Sequence, residues 1–497
     1  MYDIDHYTML EVGMNGKILM ENAGRAISEK VKGITKKADE IAILVGPGNN
    51  GGDGFVIGRT LLEEDYRVKV IQVVPDEKIK GDAAYHKDIY IQCGGDVSCA
   101  HSEGEMKNLL NESDIIIDAI LGIGVHGRLR EPISNWVNVV NHSNCCVISV
   151  DIPTGLPADE GIHDFIAVEA DYTFIVGAVK ESAFLNRTAP YYGNWEVVSI
   201  GFPKKALEKF SNRKVWSPED FKKTMPKRDT FSHKGTHGRG LIIGGSAGMP
   251  GAIAMSVKAA LRTGAGLITA GTVKSVFSTI AAYCLESMYT RLPDIDGFLV
   301  QDPSLELDKF DAIAIGMGMG RKDETKDLVV QVLEEADSPV IIDADGLYHL
   351  KSSLSILKKR QAQTILTPHP GEMAMLLDIS ISELSQSPFT YAARFAKECG
   401  AYVVLKGKYT IITTPDGIQG VNCTGNQGLA KGGSGDVLTG ITLGMVMQHK
   451  HVFHALCNAC YLHGKAADLQ VEDGHSYYDL MATDVIEGIS KVYRTIS

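Results

Sequence analysis

Ile41-Ala42-Ile43-Leu44-Val45-Gly46-Pro47-Gly48-Asn49-Asn50-Gly51-Gly52-Asp53-Gly54 decides the fold. The first five residues are a continuous apolar run, the pattern of a parallel strand buried on both faces. A glycine-rich turn follows at once, and a helical pattern is expected from Phe55. Strand, glycine turn and helix in that order form a Rossmann-type layout, in which ligands gather at the carboxyl ends of the strands. The turn is not GxGxxG. Its two Asn and one Asp add side-chain hydrogen bonds to a bare backbone.

Working outward, Thr8 to Lys30 reads as one helix, and further strands are expected at 68–74, 115–118 and 146–151. Two of these strands end in Asp, at Asp118 and Asp151. In a parallel sheet such acids share the rim with the glycine turn. Asn50, Asp118, Asp151 and Thr154 could then converge as oxygen donors suited to a hard cation. The loop Gly122-Ile123-Gly124-Val125-His126-Gly127-Arg128 would cover the same rim, and Arg128 could meet a phosphate. Any one strand-end Asp reads first as a cap or turn former; three rim segments together read as a site.

Leu19 to Ala26, Gly46 to Gly54, Asp118 with Gly122 to Arg128, and Asp151-Ile152-Pro153-Thr154-Gly155-Leu156 resemble the YjeF N-terminal family, the NAD(P)H-hydrate epimerases. The resemblance implies that Asn49, Asn50, Gly51, Gly52 and Asp53 hold a hydrated NADH or NADPH. It implies the same for Gly122, Ile123, Gly124, Val125, His126, Gly127, Arg128 and Asp151. It also implies a potassium ion on Asn50, Asp118 and Thr154. Asp151 would serve at the ring, where a carboxylate can carry a proton while the ring nitrogen expels and recaptures the hydroxyl. Which Asp carries that proton stays open at this point.

The chain has 497 residues, 44% of them hydrophobic, and a formal net charge of −12. That length implies more than one domain, and that charge argues against non-specific nucleic-acid binding. The nine cysteines are scattered and odd in number, as in reduced cytosolic proteins. No signal pattern opens the sequence and no apolar run reaches membrane-spanning length, so the expected location is cytoplasmic. From Phe202 to Arg228 the composition turns polar and basic, with three prolines. We expect a first domain over 1–215, a linker or surface helix over 216–228, and a second domain over 229–497.

Strand and helix patterns alternate again in the second half. Strands are expected at 241–243, 266–271, 312–316, 340–343, 364–367 and 402–405, with half of a hairpin at 409–413. The fold class is therefore α/β twice over, a Rossmann-like three-layer sandwich and then a second α/β/α layer structure. Asp343 and Asp345 after one strand read as turn acids. His369, rigidly presented between Pro368 and Pro370, reads as a ligand contact. The decisive stretch is Gly425-Asn426-Gln427-Gly428-Leu429-Ala430-Lys431-Gly432-Gly433-Ser434-Gly435-Asp436. A glycine turn opening a helix presents free backbone N–H groups to an anion. An acid beside that anion suits removal of a proton from an attacking hydroxyl.

These blocks resemble the ribokinase-like family and, within it, the NAD(P)H-hydrate dehydratases. The resemblance implies Asp436 as the catalytic acid–base residue. Lys406, Gly407, Lys408, Tyr409, Thr410 and Gly435 would line the nucleotide, and Ala252, Gly318 and His369 would touch the hydrated dinucleotide. It further implies ADP as co-substrate, Mg2+ with it, AMP and phosphate as products, and a homo-oligomer, a tetramer in such relatives. Lys408 and Tyr409 replace the small residues expected there, which leaves ADP against ATP open. Two alternatives stand: a small-molecule kinase of the same superfamily, and a first domain that binds or scaffolds without catalysis. His451, His454, Cys457, Cys460 and His463 recur every three residues, but such steps drift around a helix, so they read as packing rather than zinc ligands.

Overall fold

The computed structural model describes residues 2–124, 127–162 and 164–496. Two compact units divide the chain, Met1–Ser211 and Asn212–Ser497.

The first unit carries β1 (Glu40–Val45), β2 (Arg67–Gln72), β3 (Val97–Cys99), β4 (Ile115–Ala119), β5 (Cys146–Val150), β6 (Tyr172–Val176) and β7 (Asn194–Val198). They form one parallel sheet in the order β3-β2-β1-β4-β5-β6-β7. The apolar run of β1 is explained by its two covered faces. Ile41, Ile43 and Val45 pack in one cluster with Phe55, Ile57 and Leu61 of helix Asn49–Leu62. Ala42 and Leu44 pack in the other with Met106, Leu110, Trp136 and Val140. Strand order reverses between β1 and β4, which opens a crevice at their carboxyl ends.

Two local expectations change. The helix begins at Asn49, with Gly48 as its N-cap, rather than at Phe55. Its glycine-rich start is helical because the backbone must pass close to neighbours: a Cβ on Gly52 would lie 2.3 Å from the Met20 sulfur. The expected helix over 8–30 is broken, and its main part, Gly16–Lys32, starts from an Asn15 cap whose side chain accepts from the Lys17 N–H.

The second unit carries β8 (Arg213–Val215), β9 (Arg239–Ile243), β10 (Leu267–Thr272), β11 (Met288–Arg291), β12 (Asp294–Ile295), β13 (Phe298–Leu299) and β14 (Ala312–Ile315). They are followed by β15 (Val340–Ile342), β16 (Thr364–Leu366), β17 (Tyr402–Leu405), β18 (Thr410–Thr413) and β19 (Gln419–Asn422). Ten of these make a sheet in the order β11-β10-β9-β14-β15-β16-β17-β18-β19-β8. Only β18 runs antiparallel to its neighbours. Again the order reverses beside the first strand of the helix-connected series, between β9 and β14.

Residues 213–228 are a correction to the expected boundary. β8 pairs with β19, so the second unit starts earlier than 229 and the stretch 216–228 is not a free linker. Helix Pro218–Thr224 buries Phe221, whose ring stacks on Tyr461 at 4.6 Å. The Trp216 indole N–H donates to Asn458 Oδ1 at 2.9 Å.

One construction recurs in both units. A Cβ on Gly46, just past β1, would lie 1.9 Å from the Ile120 carbonyl oxygen, just past β4. A Cβ on Gly244, just past β9, would lie 2.5 Å from the Met317 carbonyl oxygen, just past β14. Each glycine lets the neighbouring strand's exit loop cross over the mouth of the crevice.

Candidate active sites

In the first unit the crevice deepens into a cavity of about 960 Å³. Gly48, Asn49 and Asn50 at the start of the helix line it, as do Gly122, Ile123, Gly124 and Arg128 from the loop after β4. Asp53 and Asp151 line it too, joined by Asp5, an acid near the start of the chain that carried no sequence signal. Gly51 and Gly52 do not line the cavity. A Cβ on Gly51 would lie 2.0 Å from the Gly46 carbonyl oxygen, so this position requires glycine for close packing. Gly127 is also outside the cavity lining. Val125 and His126 lie outside the described residues.

Asp151 adopts φ +67°, an uncommon conformation for a residue with a side chain. It is ion-paired to the buried Lys180 and accepts from the Val176 N–H at 2.9 Å. Lys180 also donates to the carbonyls of Val176 and Ala178. Asp53 is buried, and loss of water pushes its carboxyl well above the usual carboxylate range, with Asp151 and then Asp5 adding repulsion. Asp5 is raised as well, mainly by burial.

Asp118 and Thr154 are wholly buried beneath this floor. Asp118 Oδ1 accepts from the Thr154 hydroxyl at 2.6 Å and the Ile120 N–H at 3.3 Å. Its Oδ2 accepts from the Thr154 N–H at 2.8 Å and the Ser149 hydroxyl at 2.9 Å. Burial raises Asp118 despite these donors. The side-chain nitrogen of Asn50 is buried with no hydrogen-bond partner.

In the second unit the carboxyl ends of β15 and β17 meet the start of helix Ser434–Gln448. Asp343, just past β15, is buried. Its Oδ1 accepts from Lys406 Nζ at 2.7 Å and its Oδ2 from the Thr439 hydroxyl at 2.6 Å. Asp343 is thus more than the turn acid its sequence position suggests. Lys406 Nζ is also 3.9 Å from Glu372, and Glu372 is 3.4 Å from His369 Nε2. A Cβ on Gly435 would stand 3.6 Å from Lys406 Nζ and 3.8 Å from Asp343 Oδ2, so the helix start faces this ion pair.

Asp436 follows in the first turn, and the Ser256 hydroxyl donates to its carbonyl at 2.8 Å. Its carboxyl is pushed up to about 7, first by burial and then by Asp343, with Lys406 pulling the other way. Ala252 and Gly318 are brought face to face, since a Cβ on Gly318 would lie 2.8 Å from that of Ala252. His369 caps helix Pro370–Leu377 through Nδ1 and stays exposed. Gly407, Lys408 and Tyr409 form the turn from β17 into β18, which starts at Thr410; Lys408 Nζ reaches the Gly425 carbonyl at 3.2 Å. The glycine loop itself is pinned by Asp468, which accepts from the Gly425 N–H and the Asn426 amide, both at 3.0 Å.

Cys457 and Cys460 are buried along helix Val452–Glu472 and used in packing. Among the described residues no group of three or more His, Cys, Asp or Glu could hold a metal ion. Nor, among them, is any helix long and apolar enough to cross a membrane.

Comparison with known proteins supplies the family. Residues 16–182 match the model described as "YjeF-related protein N-terminus", and residues 240–491 match "NAD(P)H-hydrate dehydratase". A bifunctional NAD(P)H-hydrate repair enzyme of Moorella thermoacetica is 35% identical, over 100% of this chain and 96% of its own length. The enzyme of that name from Escherichia coli is 30% identical, over 95% and 90% respectively. Among solved structures, the ADP/ATP-dependent NAD(P)H-hydrate dehydratase of Bacillus subtilis, co-crystallised with ATP and Mg2+, is 37% identical. It superposes with a TM-score of 0.51, covering 57% of this chain and 99% of that one. The chain belongs to the bifunctional NAD(P)H-hydrate repair enzymes, with a YjeF-related epimerase domain followed by a ribokinase-like dehydratase domain.

Proposed function

We propose that the first unit interconverts the R and S forms of hydrated NADH and NADPH, and that the second dehydrates the S form using ADP. The observation that carries this is Asp436. It is a carboxyl balanced between its two protonation states near neutral pH, set at a helix start that faces the Lys406–Asp343 ion pair. A general acid–base works best with that balance.

Hydroxide leaves a ring carbon poorly. In the dehydration Asp436 takes the proton of the substrate hydroxyl while its oxygen attacks the terminal phosphorus of the nucleotide. The first-turn amides around Gly435 and the Lys406 ammonium hold the transferring phosphoryl group. AMP departs, leaving a phosphate ester on the ring. The ring-nitrogen lone pair then expels phosphate, which takes the adjacent ring proton and restores the double bond. Ala252, Gly318 and His369 hold the dinucleotide, and Lys406 to Thr410 the nucleotide. Both oxygens of Asp343 are engaged, and Asp345 accepts from the Gly320 N–H and from Arg321. Such a rim suits Mg2+ carried in on the nucleotide phosphates with its waters, rather than a cage of protein carboxylates.

In the epimerase unit Asp151 and Asp53 share the cavity that takes the ring, and Arg128 with the helix start at Asn49 takes phosphate. The donor set fits a potassium ion. Asp118 is a buried carboxylate with no cationic partner among the described residues, and Asn50 and Thr154 are neutral oxygen-bearing side chains. When bound, that ion would balance the Asp118 charge and fix the floor of the cavity. Nine free cysteines support a reducing, cytoplasmic setting. The exposed Leu285 and Met288 by the edge strand β11 support a homo-oligomer such as a tetramer, which light scattering would test.

Purified protein with ADP and Mg2+ should return a mixture of both hydrate epimers fully to reduced dinucleotide, read by its near-ultraviolet absorbance. Asp436→Asn should end dehydration and leave epimer exchange intact. Accumulation of a stable phosphorylated product would mark a small-molecule kinase instead.

A further inference from the structure

Asp343 was unassigned by the family resemblance, yet it is the most constrained acid of the second unit. It ends a strand, has no access to water, and must find partners inside the protein. It finds two. One is the ammonium of Lys406, 2.7 Å away at the end of β17. The other is the hydroxyl of Thr439, 2.6 Å away on helix Ser434–Gln448. Thr439 lies three residues beyond Asp436, hence on the same side of that helix. One carboxylate thus ties together the ends of two strands and the helix whose first turn carries Asp436 and the amides around Gly435.

We propose that Asp343 is a positioning residue for the dehydration: it presents Lys406 to the amide cradle and, through Thr439, anchors the helix that carries Asp436. This rests on the reading of Asp436 as proton acceptor.

The groups that face Asp436 come from several elements. Asp345, on helix Asp345–Leu350, is already balanced by Arg321 at 2.9 Å. Glu372, on helix Pro370–Leu377, acts through Lys406. His463, on helix Val452–Glu472 and set against the backbone of Ser434, is neutral because burial pushes it down to about 4. That leaves Asp343 and Lys406 as the charges that matter, of opposite sign and in mutual contact. After burial, Asp343 is the largest influence raising Asp436 and Lys406 the one lowering it. As Lys406 turns toward an incoming phosphoryl group, the charge of Asp343 is less compensated and Asp436 grips the substrate proton harder. Nucleotide arrival and proton capture are coupled through one carboxylate.

The test is the pH dependence of dehydration turnover by the full-length protein. Turnover falls on the acid side as Asp436 becomes protonated. Asp343→Asn removes the repelling charge and should move that acid limb to lower pH. Lys406→Met removes the attracting charge and should move it to higher pH. Each displacement should be roughly one pH unit or more, with turnover reduced roughly tenfold or more. Thr439→Val should lower turnover and leave the limb in place. Limbs that stay put, or move in the same direction, overturn the proposal, because a merely structural role moves neither. Wild-type turnover in Thr439→Val overturns the anchoring part. If Asp343→Asn does not fold, the double variant Asp343→Asn/Lys406→Met carries the comparison, since it leaves no unpaired charge. Its limb must lie below that of Lys406→Met, and equality overturns the proposal. Dehydration retained by Asp436→Asn would overturn the reading of Asp436 itself; loss there with unmoved limbs overturns only the role of Asp343.

Discussion

Asp436→Asn should stabilise the second unit while it removes the chemistry. The carboxyl is raised from 3.8 to about 7 by burial and by Asp343. That gap is roughly three pH units, each worth about 1.4 kcal/mol, so ionised Asp436 costs about 4 kcal/mol before any solvent screening. The folded state holds this proton more tightly than the unfolded chain. The group's contribution is therefore fully present below 3.8 and is lost as the pH rises through about 7. Asparagine cannot ionise and has no such slope. With screening allowed for, we expect a gain of roughly 2–4 kcal/mol at about pH 8 and almost none at about pH 4. His463 works the other way, since burial lowers it from 6.5 to about 4. Its contribution is present above 6.5 and lost as the pH falls through about 4. In wild type the two slopes largely cancel over that window, so the variant should show stability rising with pH there. Urea unfolding followed by fluorescence is the assay. Trp216 is buried in the second unit, and replacing Trp136 and Trp195 by Phe silences the first. A gain of equal size at both ends of the pH range, or no gain at the upper end, would refute the electrostatic account.

Asp118→Ala should abolish epimer exchange and destabilise the first unit by about 3 kcal/mol, because it takes the acceptor from the Ile120 and Thr154 N–H groups and the Ser149 hydroxyl in a buried place. Unchanged urea unfolding would contradict this. Lys180→Met leaves Asp151 unpaired beside Asp53 and Asp5; we expect loss of epimerisation and about 3–5 kcal/mol of destabilisation, checked by epimer chromatography and thermal unfolding. Phe221→Ala should cost the second unit about 3–5 kcal/mol, measured through Trp216, with the first unit unaffected. A loss confined to the first unit would mean that 218–224 belongs elsewhere.

The central strands of each sheet were legible where burial on both faces gives an unbroken apolar run, as in β1, β4 and β14. Strands such as β7, β8 and β19 were not, because they are short or partly polar: Asn194–Val198 leaves most of its residues outside the core. Missing β6 also hid Lys180, which sits just past its end. The start of helix Asn49–Leu62 was misread because Asn and Gly are poor helix formers, and only tight contact with Met20, Val45 and Ala119 explains them there. Asp436 and Lys406 stood out by their setting after glycine turns and strand ends. Asp343 did not, because an Asp after a strand is usually a turn former, and its partners lie 63 and 96 residues further along. Asp5 had no local pattern at all, since it is brought to the cavity purely by tertiary folding.

The paired crossings at Gly46 with Ile120 and at Gly244 with Met317 interlock two exit loops in each unit like a tongue in a groove. Neither loop can be lengthened or redrawn without its neighbour giving way. Laboratory evolution toward other ligands should therefore leave the central crossings untouched and find its permissive changes elsewhere on the rims.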